Sequence, residues 1–297
     1  MAVLLVSSLV GLAFIAGIAL FFFRKSWKSL LAIIPVTSGM AYAAYASQGG
    51  PGMEYAIMVI APVFTGVAAG YSLRNRRSLL FFMVITSVAL GGALTAHYYH
   101  QKLFTGTDPL EETKTRAVEL LSHSQMSDAE REESLAKLDS SLDLLKDVMP
   151  FAYFLNALAT ALIGYFLSRA LISRTVAPEV TALPGIEMIR LHDYFIFALI
   201  AGWLAVLLVD HEAYRALYVA GLNAALCVSV LYLLQAVGIV KYLLAARNVP
   251  SFVLPLVLAF IVLLGTEFIL FFSIIFLSLG ALDFWADFRK LEPKDKN

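Results

Sequence analysis

The chain has 297 residues, of which 60% are hydrophobic and 15% charged, with a formal net charge of zero. Soluble domains carry about 45–50% apolar and about 25% charged residues, and here the apolar residues fall in runs too long for a globular core. The neutral balance gives no hint of nucleic-acid binding, and a single cysteine, Cys227, excludes an intrachain disulfide.

Apolar runs of about 18 or more residues can cross roughly 30 Å of hydrocarbon as helix, the form in which each run satisfies its own backbone. A transmembrane barrel would alternate with period two, and these runs do not. Spans are expected at 3–23, 30–47, 55–73, 79–97, 149–170, 193–210 and 216–240. The first run has no basic residue before it and Arg24, Lys25 and Lys28 after it, which fits a retained span better than a cleaved leader. The C-terminus carries no lipidation motif. The last apolar stretch, 251–284, is about 50 Å long as one helix. It divides naturally at Gly265-Thr266-Glu267 into two short helices.

Basic residues alternate between loops. They follow span 1, span 3 (Arg74, Arg76, Arg77), span 5 (Arg169, Arg174, Arg190) and span 7 (Lys241, Arg247), and the tail holds Arg289, Lys290, Lys294 and Lys296. By the positive-inside rule the N-terminus is outside and the tail inside, which requires an odd number of spans. The expected fold is an all-α polytopic transmembrane bundle of nine spans, the last two a tight hairpin. Eight spans with a long tilted last helix is the alternative.

Between spans 4 and 5 lies a soluble insert, 101–148, with eleven acidic and six basic residues. Asp108-Pro109 reads as a helix start with proline at the first helical position, and Ser127-Asp128-Ala129-Glu130 as a capping box. Leu135, Leu138, Leu142, Leu145 and Met149 then form an apolar stripe on a charged helix. This predicts an extracytoplasmic acidic helical hairpin whose second helix runs on into span 5 through Pro150. The organisation is thus 1–100 with spans 1–4, 101–148 the hairpin, 149–290 with spans 5–9, and 291–297 the cytoplasmic tail.

Phosphate loops, nucleophile elbows and metalloprotease motifs are absent from the sequence, so enzyme activity is not expected, nor any cofactor or metal. His97 and His100 are only two ligands where zinc needs three or four, and they read as part of an interfacial aromatic belt. Amides are costly in lipid and should face the bundle interior. Asn156, Thr160, Asn223 and Gln235 are therefore the candidate ligand-binding residues, for a small uncharged or zwitterionic solute; interhelical hydrogen bonding is the competing reading. Asn223 and Gln235 are twelve residues, about 18 Å, apart on one helix, so one small ligand does not reach both, and Asn223 is the better candidate with Asn156 as its neighbour. Ionisable residues inside the spans are nearly missing, Glu267 being the exception, which counts against a stand-alone proton-driven carrier.

Gly66 and Gly70 form a small-xxx-small motif suited to close helix packing, with Ala13 and Gly17 a similar pair. Near the C-terminus, Asp283 and Asp287 share a helix face, with Trp285, Arg289 and Lys290 beside them. One reading is an interfacial anchor, its carboxylates paired locally, above all with the Arg74–Arg77 cluster. The other is a cytoplasmic docking surface.

Four segments resemble the YybS-like bacterial membrane proteins, catalogued as domain of unknown function 2232. They are Gly66-Val67-Ala68-Ala69-Gly70-Tyr71 leading to Arg74-Asn75-Arg76-Arg77-Ser78; Leu183-Pro184; Leu234-Gln235 ahead of Gly238; and Gly280-Ala281-Leu282-Asp283-Phe284-Trp285-Ala286-Asp287-Phe288-Arg289-Lys290. The resemblance spans nearly the whole chain. It departs at Gln235-Ala236, where Gln-Gly is the pattern, and in 188–192, where a Trp and a Pro are typical. It implies a multi-pass protein of the bacterial cytoplasmic (inner) membrane and supplies no catalytic residue. The family is distantly similar to the substrate-binding membrane subunits of energy-coupling-factor transporters, which bind vitamins and work with an ATPase module. Two functions stay in view: a membrane-embedded small-solute-binding or transport subunit, the preferred one, and a non-transporting scaffold or regulator. The partners expected are the lipid bilayer and a membrane or cytoplasmic protein.

Overall fold

A computed structural model of the chain describes residues 2–25, 53–106, 108–122 and 127–290. The described residues form nine α-helices and no strand. They are α1 (Ala2–Lys25), α2 (Met53–Arg74), α3 (Leu79–His100), α4 (Pro109–Ser122), α5 (Asp128–Thr175), α6 (Tyr194–Leu208), α7 (Arg215–Ala246), α8 (Val253–Leu263) and α9 (Thr266–Ala286). The segment expected as span 2 and the basic residues of the extreme tail lie outside the described residues. Four helical stretches, in α3, α5, α7 and α9, are long and apolar enough to cross a membrane. The chain divides into two compact units, 1–74 with 83–178, and 75–82 with 179–297.

In the first unit α1 and α2 pack through small residues. A Cβ at Gly66 would lie 2.7 Å from the Ile15 carbonyl, and one at Gly70 2.7 Å from that of Ala19. At the end of the same pairing Arg74 Nη1 donates to the Phe23 carbonyl at 3.3 Å. The order 66–15, 70–19, 74–23 makes α1 and α2 parallel. Gly17 instead has open space at its Cβ position, so the Ala13–Gly17 pair does not serve this contact. Helix α3 runs antiparallel to α5, with Gly91 against the Phe154 backbone and Tyr98 against Leu142 and Leu145.

The insert folds as a helical pair. Helix α4 starts at Pro109, and Asp108 Oδ1 accepts from the Leu110 N–H at 3.0 Å. Helix α5 opens with a complete capping box: Ser127 Oγ accepts from Glu130 N–H, and Glu130 Oε2 accepts from Ser127 N–H. The leucine stripe turns inward, so that Leu138, Leu142, Leu145 and Met149 pack with Leu110 and Tyr98. Lys146–Glu111 at 3.0 Å and Lys114–Asp139 at 2.7 Å tie the two helices along the solvent edge. Pro150 sits inside α5 without ending it, so one 48-residue helix carries both the charged hairpin arm and an apolar span.

In the second unit α6 and α7 are antiparallel and close: Gly202 faces the Ala225 backbone, and Gly221 faces Ala205. The stretch 251–284 is two helices, α8 and α9, broken at Gly265, whose φ of 101° only glycine adopts without strain.

Candidate functional site

Helix α6 has 15 residues, about 22 Å, short of the roughly 30 Å of a hydrocarbon core. The irregular chain before it continues along α7 and buries Gly185, Ile189 and Leu191. Irregular backbone buried in this way exposes carbonyls and N–H groups that neither a helix nor water satisfies. Side chains from α7 and from the end of α9 supply the partners.

Gln235, 2% exposed on α7, is saturated by the protein. Its Oε1 accepts from the Leu191 N–H at 2.7 Å, and its Nε2 donates to the Gly280 carbonyl at 3.2 Å and to Asp283 Oδ2 at 3.0 Å. Arg289, 2% exposed, donates from Nη2 to Asp283 Oδ2 at 2.7 Å and from Nη1 to the Glu187 and Ile189 carbonyls, both at 2.8 Å. Asp283 Oδ1 accepts from the Phe288 N–H at 3.0 Å. Gln235 from α7 and Arg289 from the turn after α9 thus hold a loop about a hundred residues away in sequence from the arginine. The Arg289 Nε alone in this group is buried without a partner.

The cluster extends toward solvent through Lys241 Nζ, 2.7 Å from Glu187 Oε2, and through Arg190, 3.9 Å from Asp287. Glu187, Asp283 and Asp287 face Lys241, Arg190 and Arg289, so the group is neutral as a whole. Burial pushes the Glu187 carboxyl up. The Lys241 ammonium and the N–H groups of Gly185 and Glu187 outweigh this and hold it below the usual glutamate range. Two glycines make room: a Cβ at Gly238 would strike the Ile186 carbonyl, and one at Gly280 the Tyr232 carbonyl.

Of the sequence-predicted residues, Gln235, Asp283 and Arg289 come together here. Asp283 pairs with Arg289 from its own segment instead of with the Arg74–Arg77 cluster, because a six-residue return brings the guanidinium directly onto it. Helix α9 ends at Ala286 and Asp287 adopts a left-handed conformation, φ 38°, so Asp283, Asp287 and Lys290 do not share a helix face. Trp285 is exposed, while Asp283 and Arg289 are interior. Asn223 is buried and its Nδ2 donates to Val219 on its own helix at 2.7 Å. Asn156 is exposed and Thr160 half-buried on α5, in the other compact unit. His100 stacks on Phe104 with ring centroids 5.0 Å apart. In the sequence Lys241 counts only as a loop cation and 188–192 only as a departure from the family pattern, and Glu187 has no marked role; the signal is a Gly-containing segment preceding an unusually short apolar run.

Neither the curated proteins nor the solved structures contain a match to this chain. The family described as predicted membrane protein (DUF2232) matches residues 1–284, which includes α1 to α9 up to the Asp283 carboxylate. Apolar helices long enough to span a bilayer are what that description requires, and this chain belongs to the DUF2232 family of predicted membrane proteins.

Proposed function

We propose that this chain is a non-transporting scaffold or regulator of the bacterial cytoplasmic membrane, a multi-pass protein that docks other proteins and carries no catalytic site. The observation that carries this reading is the saturation of Gln235. The span amide best placed inside its unit spends its donors and acceptor on Leu191, Gly280 and Asp283, which leaves it nothing to offer a solute. Exposed groups remain where a partner would meet them: Leu120 and Leu144 on the hairpin, and Trp285 beside the latched tail. Trp285 and Phe288 with Lys290 would equally suit an interfacial anchor, so the hairpin carries the docking role.

The nine-span arrangement, outside N-terminus and extracytoplasmic hairpin belong to the same proposal. Parallel α1 and α2 support an odd number of crossings between them. Contacts of both Lys241 and Arg289 with the 185–191 loop support a common side for the end of α7 and the tail, and with it an even number of crossings through α8 and α9. The 11 residues of α8 reach only about 16 Å, so it depends on its flanking turns to complete a crossing.

The second reading, a solute-binding subunit related to those of energy-coupling-factor transporters, is favoured by a groove of about 200 Å³ among α7, α8 and α9. Its lining is apolar apart from Ser273, so it suits an apolar occupant better than a vitamin-like polar one. Photo-crosslinking in living cells distinguishes the two. A crosslinker at Leu120 is expected to capture a discrete protein adduct; capture of lipid or nothing at Leu120 would count against the scaffold.

A further inference from the structure

We propose that a groove between α1 and α5 is a binding site for one anionic phospholipid. The inference rests on the chain's place in a membrane and not on the scaffold reading. The groove has a volume of about 400 Å³ and is open to the surroundings, lined by Leu12, Ala13 and Ala16 of α1 and by Ala170, Leu171 and Arg174 among others of α5. Three alanines keep its floor low, since a methyl group stands out from a helix far less than the flanking leucines. Ala13, Ala170 and Arg174 are exposed, so the groove opens outward from the bundle.

Its chemistry is graded along the helix axis. The apolar part is formed by the middle of α1 and the last turns of α5 before Arg174, and among the described residues Arg174, in the last turn of α5, is the only charge in the lining. From Leu167 to Arg174 is seven residues, about 10 Å along the helix. An acyl chain therefore lies along the leucines and alanines while its phosphate reaches the guanidinium. Arg174 has no ion-pair partner among the described residues. The hydroxyls of Ser173 and Thr175 turn back onto the Ala170 and Leu171 carbonyls, so they take up acceptors of the last turn that would otherwise compete for the guanidinium. Arginine is the side chain best shaped for phosphate, and basic pockets between spans at the cytoplasmic boundary select anionic head groups. A second copy of the chain would have to bring a carboxylate to Arg174 at the level of the head groups, where the apolar lining offers no complementary register.

The test is native mass spectrometry of the full-length protein, delipidated in detergent and then exposed to vesicles of phosphatidylglycerol or of phosphatidylcholine. The expected result is one retained phosphatidylglycerol per chain, favoured roughly tenfold over phosphatidylcholine, the scale of one charge-assisted contact. Arg174→Gln should reduce retention to the phosphatidylcholine level, Arg174→Lys should keep part of the preference, and Ala170→Trp should abolish retention with the arginine still present. Equal retention of the two lipids, unchanged retention in Arg174→Gln or in Ala170→Trp, displacement by inorganic phosphate alone, or a dimer mass in place of the lipid adduct would each overturn the proposal.

Discussion

Arg289 folds back six residues to place its guanidinium 2.7 Å from the Asp283 carboxylate, with 0% and 1% of the two side chains exposed. A buried pair is weak as a net stabiliser, yet removing one partner leaves an uncompensated charge and costs about 3–5 kcal/mol. Asp283→Ala or Arg289→Met alone should therefore lower the Tm in detergent sharply. The double variant should lose no more than the worse of the two. Additive losses in that double-mutant cycle would mean that the two groups do not act as a pair.

Gly66 and Gly70 let α1 and α2 meet backbone to backbone. Gly70→Val should cost about 1–3 kcal/mol, since the Ala19 carbonyl to which its Cβ would come within 2.7 Å cannot rotate away. Gly17→Ala, whose Cβ meets open space, should stay within about 0.5 kcal/mol of the parent. Thermal melts of the purified variants separate these outcomes.

Much of this was legible beforehand because the relevant physics is local. Ser127 and Glu130 cap α5 across three residues, Asp108 and Pro109 start α4 across two, and Gly265 breaks the last stretch by its own backbone freedom. Three residues of the candidate site, Gln235, Asp283 and Arg289, were legible, but their joint hold on the 185–191 loop was not. An amide within a span looks the same in sequence whether it faces a solute or a backbone, and Gln235 faces a backbone. In the sequence Arg289 fits an interfacial anchor, because basic residues at a span end normally do. Its partners, the carbonyls of Glu187 and Ile189, belong to no side chain and leave no mark in the sequence.

The Glu187 carboxyl is held below the usual glutamate range, so its protonation is linked to unfolding. A carboxyl with a depressed folded pKa contributes stability that is present above its unfolded pKa and lost as pH falls through the folded one. The Tm should thus fall as pH is lowered beneath the ordinary glutamate range, and Glu187→Gln should flatten that part of the profile. An unaltered profile in Glu187→Gln would show that Lys241 and Glu187 do not hold the loop.

Single cysteines introduced in a Cys227→Ser background test the topology. Met188→Cys, Asn248→Cys and Lys290→Cys should all label from the cytoplasmic side, and Glu267→Cys from the outer side. Labelling of Lys290→Cys from the side opposite Met188→Cys would contradict the contact of Arg289 with the 185–191 loop.

A scaffold of this kind has its polar interior used up by the protein itself. Purification from native membranes, followed by denaturation and quantitation of released small polar molecules, addresses that directly. The account predicts no polar solute approaching one per chain, in the parent or in Gln235→Leu, with a lower Tm in the variant as Leu191 and Gly280 lose their partner. A polar solute released at one per chain from the parent and absent from Gln235→Leu would contradict it.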